Sequence, residues 1–210
     1  MAVNTQDALR WLDALQKVFA EHKQELTDLD AAVGDGDLGI SLDRGFTAVQ
    51  TELSANPPAD LRAVFQSVAT TLIRTMGGTS GPLLGTFFLR AGATCVGKSE
   101  LAPADVVAMF QAGVEGLQQR GKAALGDKTM LDALIPAVEA MRAALDAGSG
   151  LAEILEKGAA AGEEGMRATI AMSARKGRAS YLGDRSIGHQ DAGATAAHLL
   201  LRAAAQNFRT

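Results

Sequence analysis

Apolar side chains recur every three or four positions along most of the chain, and no convincing run alternates with period two. That spacing is the signature of amphipathic helices. Leu12, Leu15, Val18, Phe19 and Leu26 form one stripe, which predicts a helix over Asp7–Leu26 with Asn4 or Thr5 as its N-cap. A second helix is expected from Gly39 to Leu53, ending before Asn56-Pro57-Pro58, and a third from Asp60 to Met76. Pro82 suits the start of a fourth that runs to about Val96. The remaining helices are expected at Ala102–Gly121, Lys128–Ala147, Leu151–Arg175 and Gly193–Phe208, with Gly148-Ser149-Gly150 as punctuation. About eight helices and no strand make an all-α chain, read as a single domain over residues 1–210. Short turns between long helices favour antiparallel neighbours.

Composition agrees with that pattern. Hydrophobic residues make up 47 % of 210 residues and aromatics only 4 %, with Ala abundant, which favours closely packed helices over sheet. The net charge of −4 gives no electrostatic footprint for nucleic acid. Cys95 is the single cysteine and lies in an apolar run, so it reads as a small core residue in a reducing compartment. Neither a signal peptide nor a membrane-spanning stretch is evident, so a cytoplasmic protein is expected.

The most informative segment is Leu29-Asp30-Ala31-Ala32-Val33-Gly34-Asp35-Gly36-Asp37-Leu38-Gly39. Three carboxylates lie within eight residues with no Lys or Arg between them. A hard divalent cation would relieve their repulsion, and Mg²⁺ usually shares such ligands with a substrate phosphate. An acidic turn that caps the next helix is the plainer alternative. Gly34-x-Gly36-x-x-Gly39 matches a dinucleotide fingerprint in form only, because it follows a helix and carries carboxylates where a pyrophosphate would lie. Counted from Asp35, the positions that need an oxygen ligand, Gly and Glu in a calcium-binding EF-hand are Gly39, Ile40 and Phe46.

Two further segments supply complementary chemistry. Gly77-Gly78-Thr79-Ser80-Gly81 precedes a helix, where free N–H groups and the helix dipole favour an anion. Arg175, Lys176 and Arg178 flank Gly177 at the start of a long glycine-rich connection, residues 176–191. Loops of that length in compact domains are usually functional or disordered. Arg178 is the favoured phosphate partner, because a guanidinium grips phosphate through two donors. Arg44 could serve similarly or form a surface ion pair. His22 and His198 read as surface or packing residues, and His189 as a loop support or ligand contact. No Ser–His–Asp triad, cysteine nucleophile or zinc cluster is visible.

Taken together, these motifs resemble the L-subunit family of dihydroxyacetone kinases, also seen as the nucleotide-binding C-terminal domain of single-chain kinases. The resemblance runs through the aspartate turn, Arg44-Gly45-Phe46, Gly77 to Phe88, Arg120-Gly121-Lys122, Gly126 to Met130, Ala174 to Gly183 and Gly188 to Ala194. It implies a barrel of eight antiparallel helices with a nucleotide, ADP or ATP, and two Mg²⁺ at one end. By position, Asp30, Asp35 and Asp37 would bind the metals. Leu38, Gly39, Ile40, Ser41, Thr79 and Ser80 would surround the phosphates, and Gly121 and Met130 the adenine. Arg178 would be the catalytic residue, closing the site with Asp191, Ala192 and Gly193.

The same resemblance implies a separate K subunit that holds dihydroxyacetone or a related short keto-sugar. Leu38 stands where members served by the sugar phosphotransferase system commonly have His, so two donors remain open. One is a phosphohistidine protein that rephosphorylates bound ADP, and the other is exchangeable ATP. Ala192 stands where proline is frequent. The leading reading is therefore an enzyme subunit for phosphoryl transfer to an alcohol. A tetrulose kinase subunit, a non-catalytic nucleotide-binding module and a plain helical interaction domain are the alternatives.

Overall fold

The computed structural model describes residues 2–208. Among these lie nine α-helices: α1 Thr5–Glu21, α2 Lys23–Val33, α3 Leu38–Ala55, α4 Leu61–Thr75, α5 Ser80–Ala93, α6 Pro103–Gly121, α7 Met130–Asp146, α8 Leu151–Ala168 and α9 Ala192–Asn207. Two 3-10 segments, Thr169–Ala171 and Arg178–Ser186, lie between α8 and α9. Local chemistry sets several of the starts. Asn4 Oδ1 accepts from Gln6 and Asp7 N–H while Asp7 answers to Asn4 N, a reciprocal cap on α1. Asp60 caps α4 through Ala63 N at 2.7 Å, Thr129 caps α7, and Asp191 caps α9.

Consecutive helices from α3 to α9 pack side by side, and α1 packs against both α9 and α3. The eight therefore close into a ring, with alternating directions, as the expected barrel requires. The ninth helix, α2, lies across α3 and α9. Side chains fill the interior. Trp11 from α1 is fully buried, and its ring meets Phe65 of α4, Phe88 of α5, Phe110 of α6 and Phe208 at centroid distances of 5.2–6.3 Å. Its indole N–H donates to Leu200 O of α9 at 3.3 Å. One side chain thus ties five sectors of the wall together.

Small residues allow the close approaches. A Cβ on Gly165 of α8 would lie 2.0 Å from Asp132 O of α7. Pro136, four residues further along α7, has no N–H for that carbonyl, and its ring would otherwise crowd the turn.

Three sequence expectations need correction. The first helix breaks at His22 and resumes as α2, which extends to Val33. The seventh ends at Ala168 rather than Arg175, where Thr169 turns its hydroxyl back onto Met166 O and a 3-10 turn follows. A two-residue antiparallel pairing, Val3 with Leu101 and Asn4 with Glu100, joins the segments before α1 and α6, where no strand was expected. No helix among the described residues is long and apolar enough to cross a membrane.

Candidate functional site

Alternation of direction around the ring places the N-termini of α3, α5, α7 and α9 at the same end. Leu38, Ser80, Met130 and Ala192, the first residues of these helices, all line one cavity of about 230 Å³. Each helix start carries N–H groups without an intrahelical acceptor and a partial positive charge. Four such ends around one cavity make a field for an anion, phosphate above all. The start of α5 is the most available, because Thr79 makes no side-chain cap. Gly78, at φ +62°, gives the preceding turn its left-handed step.

The C-terminal end of α2 brings the opposite charge to the same cavity. Asp30, Asp35 and Asp37 all line it. Asp30 Oδ2 accepts from the N–H groups of Asp37 and Leu38 at 2.9 and 3.2 Å, which fixes the turn and caps α3. Asp37 Oδ2 accepts from Ser41 Oγ at 2.5 Å, and Asp35 Oδ2 pairs with Arg178 at 3.1 Å. The second oxygen of each carboxylate makes no hydrogen bond among the described residues. No three His, Cys, Asp or Glu groups among the described residues are gathered closely enough to hold a metal as they stand. The donors nevertheless suit a hard cation shared with phosphate: three carboxylates on one wall, each with an unused oxygen. Asp35 can offer its second oxygen to a metal while the first stays with Arg178.

The basic loop closes a third side, with Lys176, Gly177 and Arg178 all lining the cavity. Gly177 has φ 66° and ψ −167°, a conformation essentially reserved for glycine, and it turns the chain between the two cations. Thr79, Asp191 and Gly193 complete the sequence-expected residues that reach the cavity.

Four expected residues do not line it. Gly39 is buried against α2, where a Cβ would lie 2.1 Å from Lys23 O, so its smallness serves helix crossing. Ser41 is buried beneath Asp37, and Ile40 is 42 % exposed on the outer face of α3. Gly121 sits at the end of α6, behind Leu83, which does line the cavity. Arg44 lies outside the cavity and forms no ion pair among the described residues: it donates to Thr75 O at 3.0 Å and to Ser41 Oγ at 3.1 Å, joining α3 to the end of α4. His189 is exposed and also stands outside the cavity.

Sequence reasoning missed Lys128, Thr129 and Leu83 as cavity residues. A lysine directly before a capping Thr, in Gly126-Asp127-Lys128-Thr129, was the available signal. A larger groove of about 590 Å³ between α4, α5 and α6 holds Arg62, Arg90 and Arg120 but no carboxylate. Chemistry rather than size thus singles out the end cavity.

Asp191 supplies the strongest electrostatic perturbation. Desolvation pushes its carboxyl up to about 7, and the charges of Asp132 and Asp30 push the same way. The Ala194 N–H bond and the Lys128 ammonium oppose the shift. Because the folded pKa exceeds the unfolded one, the folded chain holds the extra proton between about pH 4 and 7. The ligand-free chain should therefore lose stability as pH rises through that window. Asp191→Asn keeps a cap acceptor and should flatten the loss, as thermal melts at pH 5 and 8 would show. Equal pH dependence in both proteins would contradict the assignment.

Comparison with known proteins accords with this arrangement. Residues 32–206 match the DAK2 domain. The chain is 39 % identical over 202 residues to the ADP-binding subunit of the PEP-dependent dihydroxyacetone kinase of Escherichia coli K12, covering 96 % of each chain. It is also 39 % identical over 199 residues to the ADP-binding subunit of a PEP-dependent dihydroxyacetone kinase from Listeria innocua, covering 95 % of this chain and 94 % of that one. Among solved structures, the dihydroxyacetone kinase from C. freundii in complex with AMP-PNP and Mg²⁺ superposes with a TM-score of 0.75 at 27 % identity. That match takes in 95 % of this chain but spans only 34 % of the larger kinase. A match over most of the sequence, joined to a closed helical ring with an acidic turn at one end, establishes that the chain belongs to the DAK2-domain family.

Proposed function

We propose that this chain is the nucleotide- and Mg²⁺-binding subunit of a cytoplasmic dihydroxyacetone kinase. It passes a phosphoryl group to the terminal hydroxyl of a short keto-sugar held on a separate K subunit. One observation carries the reading: three aspartates, four helix N-termini and Arg178 line a single cavity. That pattern has separate places for divalent cations and for phosphates.

A bound Mg–nucleotide would supply the transferable phosphoryl group and the divalent charge that offsets phosphate repulsion. This chain's own part is positioning and charge neutralisation. Asp30, Asp35 and Asp37 would hold the metals, with Asp30 also fixing the turn. The N–H groups at the starts of α3 and α5, with Thr79 and Ser80, would hold phosphate oxygens. Met130 and Leu83 offer an apolar flank for the base. Arg178 would neutralise charge that develops during transfer, and Asp191 to Gly193 would close the wall. The names of the similar subunits, PEP-dependent and ADP-binding, favour retained ADP rephosphorylated by a phosphohistidine protein as the donor route. Leu38 offers that protein's phosphate no side-chain hydrogen bond.

The test combines the chain with a K subunit and dihydroxyacetone. Either phosphoenolpyruvate with phosphotransferase-system proteins or Mg–ATP is then added. Dihydroxyacetone phosphate should form only when this chain is present, and the effective donor identifies the route. No product from either donor, by a chain that still binds nucleotide, would leave a non-catalytic binding module instead.

A further inference from the structure

Lys128 is 1 % exposed, yet it carries an ammonium group and a left-handed backbone with φ 62°. Such a conformation is uncommon outside glycine and invites a functional explanation. Burying an ammonium is costly unless its protons find acceptors. Here Nζ donates to Ser186 O at 2.5 Å and to Met172 O at 3.0 Å. These two carbonyls stand at the feet of one loop, residues 172–186, whose tip carries Lys176, Gly177 and Arg178.

Other bonds close the same neck. Ala174 N donates to Ser186 Oγ at 2.8 Å, Gly188 N to Ile170 O at 2.7 Å, and Arg175 N to Asp127 O at 3.1 Å. The turn that presents Lys128 is itself rigid. Both oxygens of Asp132 accept its N–H groups, from Gly126 and Thr129 at 2.6 Å each. Beyond the neck, the loop rests on α2 through a small cluster of Val33, Ala174 and Ala179.

We infer that Lys128 is a positioning residue that clasps both feet of this loop and thereby sets where Arg178 stands over the cavity. The inference rests on the phosphoryl-transfer reading for its catalytic consequence, but not for the clasp itself. A loop closed at its neck gives up much of its freedom. Without the ammonium, two inward carbonyls lose their donor and the tip can shift. Misplacement of a charge-neutralising group by about 1 Å can cost about 100-fold in rate.

The test compares Lys128→Met, Lys128→Gln and Lys128→Arg with the parent. Limited trypsin digestion of nucleotide-free protein reads the clasp, through cleavage after Lys176 and Arg178. Lys128→Met should be cut about tenfold faster there, by release of the loop. In the coupled assay its kcat should fall about 10- to 100-fold, with nucleotide affinity changing far less. Lys128→Arg, which can donate to both carbonyls, should restore most of both properties. Lys128→Gln, shorter, uncharged and with two donors instead of three, should fall between and serves if the Met variant does not fold. Parental protection and turnover in Lys128→Met would overturn the inference. So would a lower melting temperature with kcat per folded molecule unchanged. A parent chain that transfers no phosphoryl would defeat the functional reading alone, since the digestion still decides the clasp.

Discussion

Asp35→Ala should lower Mg²⁺-dependent nucleotide retention by at least about 100-fold, since support groups one shell further from a metal already cost 10- to 100-fold. Of the three aspartates, Asp35 is the one not tied to its own turn: its oxygen pairs with Arg178 rather than with backbone or Ser41. Its removal should therefore leave the acidic turn folded. It also removes one of three crowded like charges, so ligand-free thermal stability should hold or rise slightly. That combination, lost retention without lost stability, separates a ligand from a structural residue. Asp43→Ala is the control, because Asp43 pairs with Lys23 at 2.9 Å and stands outside the cavity. Equilibrium dialysis with labelled ADP, with and without Mg²⁺, reads both. Unchanged retention in Asp35→Ala would contradict the metal assignment.

Arg178→Ala should slow phosphoryl transfer by about 100- to 1,000-fold, the range seen when one preorganised donor to developing charge is lost. Nucleotide affinity should change by less than about tenfold, because ground-state phosphate retains four helix starts and Lys176. The Asp35–Arg178 pair adds a second expectation. In the ligand-free chain the guanidinium holds one oxygen of Asp35, so a metal on the other oxygen would share that carboxylate with a second cation. Arg178→Ala should therefore bind Mg²⁺ no more weakly than the parent. Arg178→Lys should recover little turnover, since an ammonium cannot reproduce the planar fork. Single-turnover rates and binding isotherms on the same variants separate the two effects. A change confined to affinity would make Arg178 a clamp on bound phosphate.

Features written in local sequence are legible in the order of residues alone. Apolar spacing places most helix bodies, and the crowding of Asp30, Asp35 and Asp37 points to a cation. The glycines around Thr79 and Gly177 mark the two turns that meet them. Features that depend on distant packing are not legible in this way. Convergence of four helix N-termini follows from closure of the ring, which no window of sequence contains. The break at His22 lies inside a continuous apolar pattern, and α2 takes in Leu29 to Val33, the first half of the acidic stretch, ending just before its glycines. The family resemblance puts Gly39 and Ser41 at the phosphates, whereas packing gives Gly39 a place at the helix crossing and Ser41 one beneath Asp37. Lys128 looks like an ordinary helix-start lysine, because its acceptors lie 44 and 58 residues away.

Whether the acidic turn and the helix starts jointly hold a Mg–nucleotide is read on the unmodified protein. The chain is loaded with ADP and Mg²⁺, dialysed with or without a chelator, denatured, and assayed for released nucleotide. Near-stoichiometric ADP should survive dialysis in the presence of Mg²⁺ and be lost with the chelator. A chain that holds no nucleotide in Mg²⁺, or holds it equally well in chelator, would contradict joint binding.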